Sequence, residues 1–128
     1  MEDAGLFVEA LNGFPGPYSK YVYTTVGIKG ILNLMKNVTN RSAYFMSAVS
    51  FGNPNEEPFC FVGKADGKLS LDERGTSGFG YDPIFIPSEG DGRTFAEMTT
   101  DEKNGYSHRA KALRKFAKWY SQVNKRRF

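Results

Sequence analysis

Apolar and polar positions alternate along GLFVEAL (5–11), the pattern of a half-buried strand. NGFPGPYS (12–19) then brings Gly and Pro at close intervals, which is turn chemistry. In KYVYTTVGIKGILNLMKNV (20–38), Ile28, Ile31, Leu32, Leu34 and Met35 fall at helical spacing, while Gly27 and Gly30 weaken the first half as a helix. RSAYFMSAVSFGN (41–53) and EPFCFVGKADGKLS (57–70) are long aromatic and β-branched runs, and they predict an antiparallel hairpin in the body of a sheet. DPIFIP (82–87) predicts a short strand and SEGDGR (88–93) a loop. Near the C-terminus, Ala110, Leu113, Ala117 and Tyr120 recur at i, i+3, i+7 and i+10, predicting an amphipathic helix with these residues on its apolar face. Ser107 stands where an N-cap belongs, after the breaker Asn104-Gly105. Thr99 and Glu102 have the spacing of a capping box for a short preceding turn.

With 128 residues, 40% of them hydrophobic and 15% aromatic, the chain is expected to form a single folded domain over residues 1–128. Cys60, the only cysteine, lies in the apolar run PFCFVG and is expected to be a small core residue. One cysteine closes no internal disulfide, which points to a reducing compartment, and no apolar run or leader predicts a membrane span. Asn37-Val-Thr and Asn40-Arg-Ser match glycosylation acceptors, but no secretion signal accompanies them. The net charge of +3 hides a division: residues 1–102 carry 8 basic and 14 acidic groups, and residues 103–128 carry 9 basic and none acidic. Such a tail suits nucleic acid, a membrane surface or a phosphorylated ligand; it equally suits a solvated helix face.

Three stretches concentrate candidate chemistry. In EDAGL (2–6), adjacent carboxylates at a strand entrance can hold Mg2+ or activate a water, or simply form a surface turn. In GTSGFGYDPIF (75–85), Gly78 and Gly80 flank Phe79, so backbone can approach a flat ligand while the ring stacks on it. The alternative there is a glycine-rich turn whose Phe and Tyr belong to the core. Asp82, before Pro83, is biased toward extended backbone, with a carboxylate that can accept from turn amides or ring N–H groups. In EKNGYSHR (102–109), His108 and Arg109 fall in a helix first turn, where amides and these side chains make a cluster suited to a carbonyl oxygen or an anion, or simply a solvated helix start. A basic module that stacks single-stranded nucleic acid on aromatics is a further reading, but most aromatics occupy alternating strand positions, which suits a core better.

The order and spacing of EDAGLFVEALNGFPGPYSKYV, GFGYDPIFIP, TFAEM and EKNGYSHRAKAL closely resemble the inosine triphosphate pyrophosphatase family over nearly all of the chain. The resemblance implies an α/β fold with an elongated mixed β-sheet flanked by helices. It implies Mg2+-dependent hydrolysis of ITP, dITP or XTP to the monophosphate and pyrophosphate, cleansing the nucleotide pool. Asp3 matches the catalytic aspartate that orients or deprotonates water and helps hold the metal, with Glu2 the adjacent, weaker metal ligand. Ala4 departs from the serine often found in that motif. Phe79 matches the ring that stacks on the purine, Asp82 and Lys103 match base-pocket residues, and Ser107, His108 and Arg109 match the segment that reads the 6-keto edge. A cytoplasmic homodimer, with no nucleic-acid or membrane partner, is implied as well. Family members carry a βα unit with an Asn/Lys phosphate-binding motif before the EDSGL-type strand, whereas this chain begins at Met1-Glu2-Asp3. It is therefore expected to correspond to the C-terminal two-thirds of the fold, truncated at the N-terminus, with a catalytically impaired nucleotide-binding or dimerising remnant as the alternative to an active enzyme.

Overall fold

The computed structural model describes residues 2–51 and 59–126, with side chains described for residues 4–50 and 60–121. Four strands, β1 (Glu2–Val8), β2 (Ser42–Phe51), β3 (Phe59–Leu69) and β4 (Phe85–Pro87), form one sheet in the order β1-β2-β3-β4. All three pairings are antiparallel, so the parallel partner of a mixed sheet is not among the described strands. The predicted hairpin is β2–β3, in a register that sets Phe45 opposite Ala65 and Ser47 opposite Gly63.

Between β1 and β2 run α1 (Ser19–Thr25) and α2 (Gly27–Leu34). The helical reading of 20–38 thus holds in both halves as far as Leu34, with the break at Val26–Gly27, where Gly27 stands at φ 69°, and residues 35–38 leave the helix. After β4 come the short α3 (Thr100–Asn104) and the long α4 (His108–Arg126). Asn12 in the left-handed region and a cis Phe14-Pro15 bond shape the 12–19 turn. That turn covers the outer edge of β1: the Val8 amide donates to the Phe14 carbonyl at 3.3 Å, and the Leu6 amide to Ser19 Oγ at 2.8 Å.

The core lies on one face of the sheet. Leu6 and Val8 of β1, Ala43 and Phe45 of β2, and Ala65 and Leu69 of β3 point into it and meet Ile28, Ile31, Met35, Phe85 and Phe95. This is the period-2 alternation of a half-buried sheet. Parity also corrects the expectation for Cys60. It is exposed, because even-numbered residues of β3 point away from the face that α4 covers.

Three other expectations shift. The strand read at 5–11 begins at Glu2 and ends at Val8, where a 3-10 turn over Glu9–Leu11 takes over. Asp82–Ile84 is a 3-10 turn, and only Phe85–Pro87 is strand. On α4 the packed face is not the predicted one. Ala112 is fully buried, and Phe116 and Trp119 meet Phe61 of β3, while Leu113 and Tyr120 are exposed. Both predicted caps are present: Ser107 Oγ accepts the Ala110 amide at 3.0 Å, and Thr99 and Glu102 close a capping box on α3.

Candidate active site

A cleft of about 820 Å3 opens between two walls. One wall is Ala4–Leu6 of β1 with Ser19, Lys20 and Tyr23 of α1; the other is Gly78–Asp82 with Lys103, His108 and Arg109. The structure therefore brings five of the expected substrate residues together on one wall: Phe79, Asp82, Lys103, His108 and Arg109. The sixth, Ser107, is buried as the cap of α4 and lines an adjoining hollow of about 260 Å3 with Phe79, Lys103 and His108. Its oxygen accepts the Ala110 amide as the cap, which holds the first turn in place.

The glycine turn resolves both of its readings. Phe79 is 63% exposed, whereas Tyr81 is 5% exposed and belongs to the core. Gly78 at φ 77° has no room for a side chain, since a Cβ there would collide with the Asp82 carboxylate. That closeness lets Asp82 Oδ2 accept the Phe79 amide at 3.0 Å. The same oxygen accepts from Lys103 Nζ at 2.6 Å. Asp82 is only 3% exposed, so its carboxylate acts from behind, fixing the backbone that presents Phe79 and anchoring Lys103. A charge this buried persists because it is paired and hydrogen-bonded.

Lys103 Nζ lies 4.4 Å from the centroid of the Phe79 ring and the Arg109 guanidinium carbon 5.2 Å from it. Two cations thus border an exposed aromatic ring. His108 stacks on Phe45 of β2, centroids 4.7 Å apart and planes at 18°. Burial, and then the charges of Arg109 and Lys103, push its imidazole down to about 4, so it is neutral at pH 7. Its Nδ1 is buried with no hydrogen-bond partner among the described residues.

Glu2 and Asp3 lie on β1, paired with Val49 and Ala48, and Asp3 immediately precedes Ala4 of the cleft. Their side chains lie outside the described residues. Among the described residues no cluster of three or more His, Cys, Asp or Glu could hold a metal. Asp82, which lines the cleft, holds Lys103 and the Phe79 amide through Oδ2.

Three cleft residues were not singled out from the sequence: Ser19, Lys20 and Tyr23. They sit where the turn chemistry of 12–19 passes into α1, and only the fold turns that helix start toward Phe79. The available signal was a lysine next to a serine at a helix start, which is too common to single out.

A family model described as the Ham1 family matches residues 1–119. The chain belongs to the Ham1 family. Among its relatives, a dITP/XTP pyrophosphatase of Methanothermobacter marburgensis is 55% identical over 122 residues, covering 95% of this chain and 65% of the relative. A protein of the same description from Methanopyrus kandleri is 54% identical over 120 residues, covering 94% of this chain and 63% of the relative. The Ham1 protein of Staphylococcus aureus superposes with a TM-score of 0.88 at 33% identity, over 95% of this chain and 66% of that one. A HAM1 protein from Coxiella burnetii gives 0.86 at 34% identity, over 94% and 66%. This Ham1 chain therefore spans just under two-thirds of the length of these relatives.

Proposed function

We propose that the cleft binds the purine of a deaminated nucleoside triphosphate (ITP, dITP or XTP) and that the chain serves its hydrolysis to the monophosphate and pyrophosphate. The observation that carries the reading is the convergence of an exposed Phe79 ring, two cations and a neutral histidine on one wall of a cleft whose other wall is β1. Relatives described as dITP/XTP pyrophosphatases, 55% identical, support the substrate class.

The chemistry of selection follows from the donors. Hypoxanthine and xanthine carry a carbonyl acceptor at C6, where adenine carries an amino group. Lys103 and Arg109 have donors and no acceptors. A 6-keto purine satisfies such donors, whereas a 6-amino group meets them donor to donor. Pockets built to hydrogen-bond one group reject the analogue lacking it by roughly 10⁴-fold. Asp82 contributes by holding Lys103, and Ser107 by capping the turn that carries His108 and Arg109.

With the base on Phe79, the triphosphate runs toward the β1 wall. Lys20 offers a cation there, and Asp3 is the residue to orient or deprotonate the attacking water. Asp3, with Glu2 the weaker candidate beside it, would hold Mg2+. The donor set fits that ion, which takes one or two carboxylates and completes its shell with waters and substrate phosphates. When bound, the metal neutralises phosphate charge and orients the nucleophile. The chain acts as a single domain in this reading. The family resemblance further implies a homodimer and a cytoplasmic setting; no helix among the described residues is long and apolar enough to cross a membrane.

The test is pyrophosphate release from ITP, dITP, XTP and ATP, each with and without Mg2+. Release from the 6-keto nucleotides that needs Mg2+ and far outpaces ATP is expected. Equal rates with ITP and ATP would overturn the reading of the base pocket. ITP binding without turnover would mean that this chain holds the base and does not perform the chemistry.

A further inference from the structure

We propose that Tyr81 and Ser19 are positioning residues that fix the separation of the two cleft walls, so that base and phosphates are gripped as one ligand. This rests on the reading of the cleft as a nucleotide site.

The Tyr81 hydroxyl donates to the Ser19 main-chain carbonyl at 2.6 Å, a contact between residues 62 positions apart. Ser19 is itself held on two sides. Its Oγ accepts the Leu6 amide of β1 at 2.8 Å and donates to the Gly16 carbonyl at 2.7 Å. One chain of hydrogen bonds therefore runs from the purine wall through Ser19 to the strand that carries Asp3. Each end sits beside a residue that faces ligand. Tyr81 follows Phe79 by two residues, and Ser19 precedes Lys20. Both are buried, at 5% and 6% exposure, so the bonds are shielded from competing water. Tyr23 of α1 packs edge-on against Tyr81, centroids 5.4 Å apart, adding a ring contact across the same junction. Burial pushes the Tyr81 phenol up to about 12, so it keeps its proton and remains a donor throughout the physiological range.

A residue that only stabilised the purine wall would affect every ligand touching Phe79. A residue that sets the distance between walls affects only ligands long enough to touch both. Inosine reaches the base side alone, whereas ITP reaches both. The experiment compares dissociation constants of ITP and inosine for the wild-type chain, Tyr81→Phe and Ser19→Ala, with thermal melts run alongside. Tyr81→Phe keeps the ring and removes the hydroxyl. It should weaken ITP about five- to tenfold, the worth of one buried hydrogen bond, and leave inosine unchanged. Ser19→Ala should show the same pattern, and the double variant should lose less than the product of the two, because both act through one link. Equal weakening of both ligands, or of neither, would overturn the positioning role. If Tyr81→Phe does not fold, Ser19→Ala carries the same comparison. A wild-type chain that binds adenosine nucleotides as tightly as inosine nucleotides would instead overturn the functional reading, before any variant is made.

Discussion

His108 is the only histidine in the chain, and its imidazole is stacked on Phe45 beside two cations. Its ordinary value near 6.5 falls to about 4 because the charged ring would lose water and face Arg109 and Lys103. The unfolded chain takes up a proton on this ring below pH 6.5, while the folded chain does so only near pH 4. Stability is therefore complete above pH 6.5 and drains as pH falls through that window. Urea unfolding at pH 6.5 and pH 4.5 should show the wild-type chain losing about 2 kcal/mol more than His108→Gln, the carboxylates being common to both. Identical losses in the two proteins would mean that the ring is not buried neutral. The same neutrality leaves one donor and one acceptor nitrogen on the ring at working pH, so base recognition need not follow the imidazole titration between pH 6 and 8. Among single residues, Phe79 was the most legible in the sequence, because flanking glycines announce a presented ring. Asp82 was less so. That its carboxylate anchors the wall from behind depends on the turn closing until Oδ2 reaches the Phe79 amide.

At the scale of elements, the junction of α4 with β3 decides where the turn carrying His108 and Arg109 sits. Gly63 of β3 lies directly under the first turns of α4, and an added Cβ would overlap the His108 carbonyl and the Ala112 amide. Both obstacles are backbone, so the helix itself must move. Gly63→Ala should cost about 1–3 kcal/mol, the range of overpacking, and should weaken ITP binding because His108 and Arg109 ride on the displaced turn. Denaturation and ITP titration of this variant check both effects; a stable protein with unchanged ITP affinity would mean that α4 does not sit so close. This junction also explains why the packed face of α4 was misread. Leu113 and Tyr120 form a helical stripe, and so do Ala112, Phe116 and Trp119, and periodicity alone does not rank them. The choice falls to the residues that fit over Gly63 and meet Phe61. The strands and caps are legible because their signals are local: aromatic and β-branched runs in β2 and β3, and an oxygen three residues before the amide it caps at Ser107 and Thr99. Cys60 was misplaced although the signal was local too, since its parity in β3 puts it on the outer face with Val62 and Lys64.

Across the whole molecule, the cleft is assembled from three stretches remote in sequence, residues 4–23, 78–82 and 103–109, together with Phe45 of β2. The motifs carried the second and third into view, whereas Lys20 and the Ser19–Tyr81 link emerged only when the fold closed the first stretch against them. A ligand that touches all three binds the folded chain and has no counterpart surface in the unfolded one. Saturating ITP should therefore stabilise the whole fold, by about 2.7 kcal/mol at a hundred times its dissociation constant. For a domain of this size that raises the melting midpoint by about 10 °C. Phe79→Ala separates binding from folding in the same measurement. Its ring is mostly exposed, so the ligand-free midpoint should stay within about 2 °C of wild type, the usual range for exposed positions, while the shift with ITP shrinks. ATP at the concentration that saturates with ITP should leave the wild-type midpoint nearly unchanged, because Lys103 and Arg109 then face a 6-amino group. An equal shift with ATP would place recognition in the sugar and phosphates instead of the purine edge.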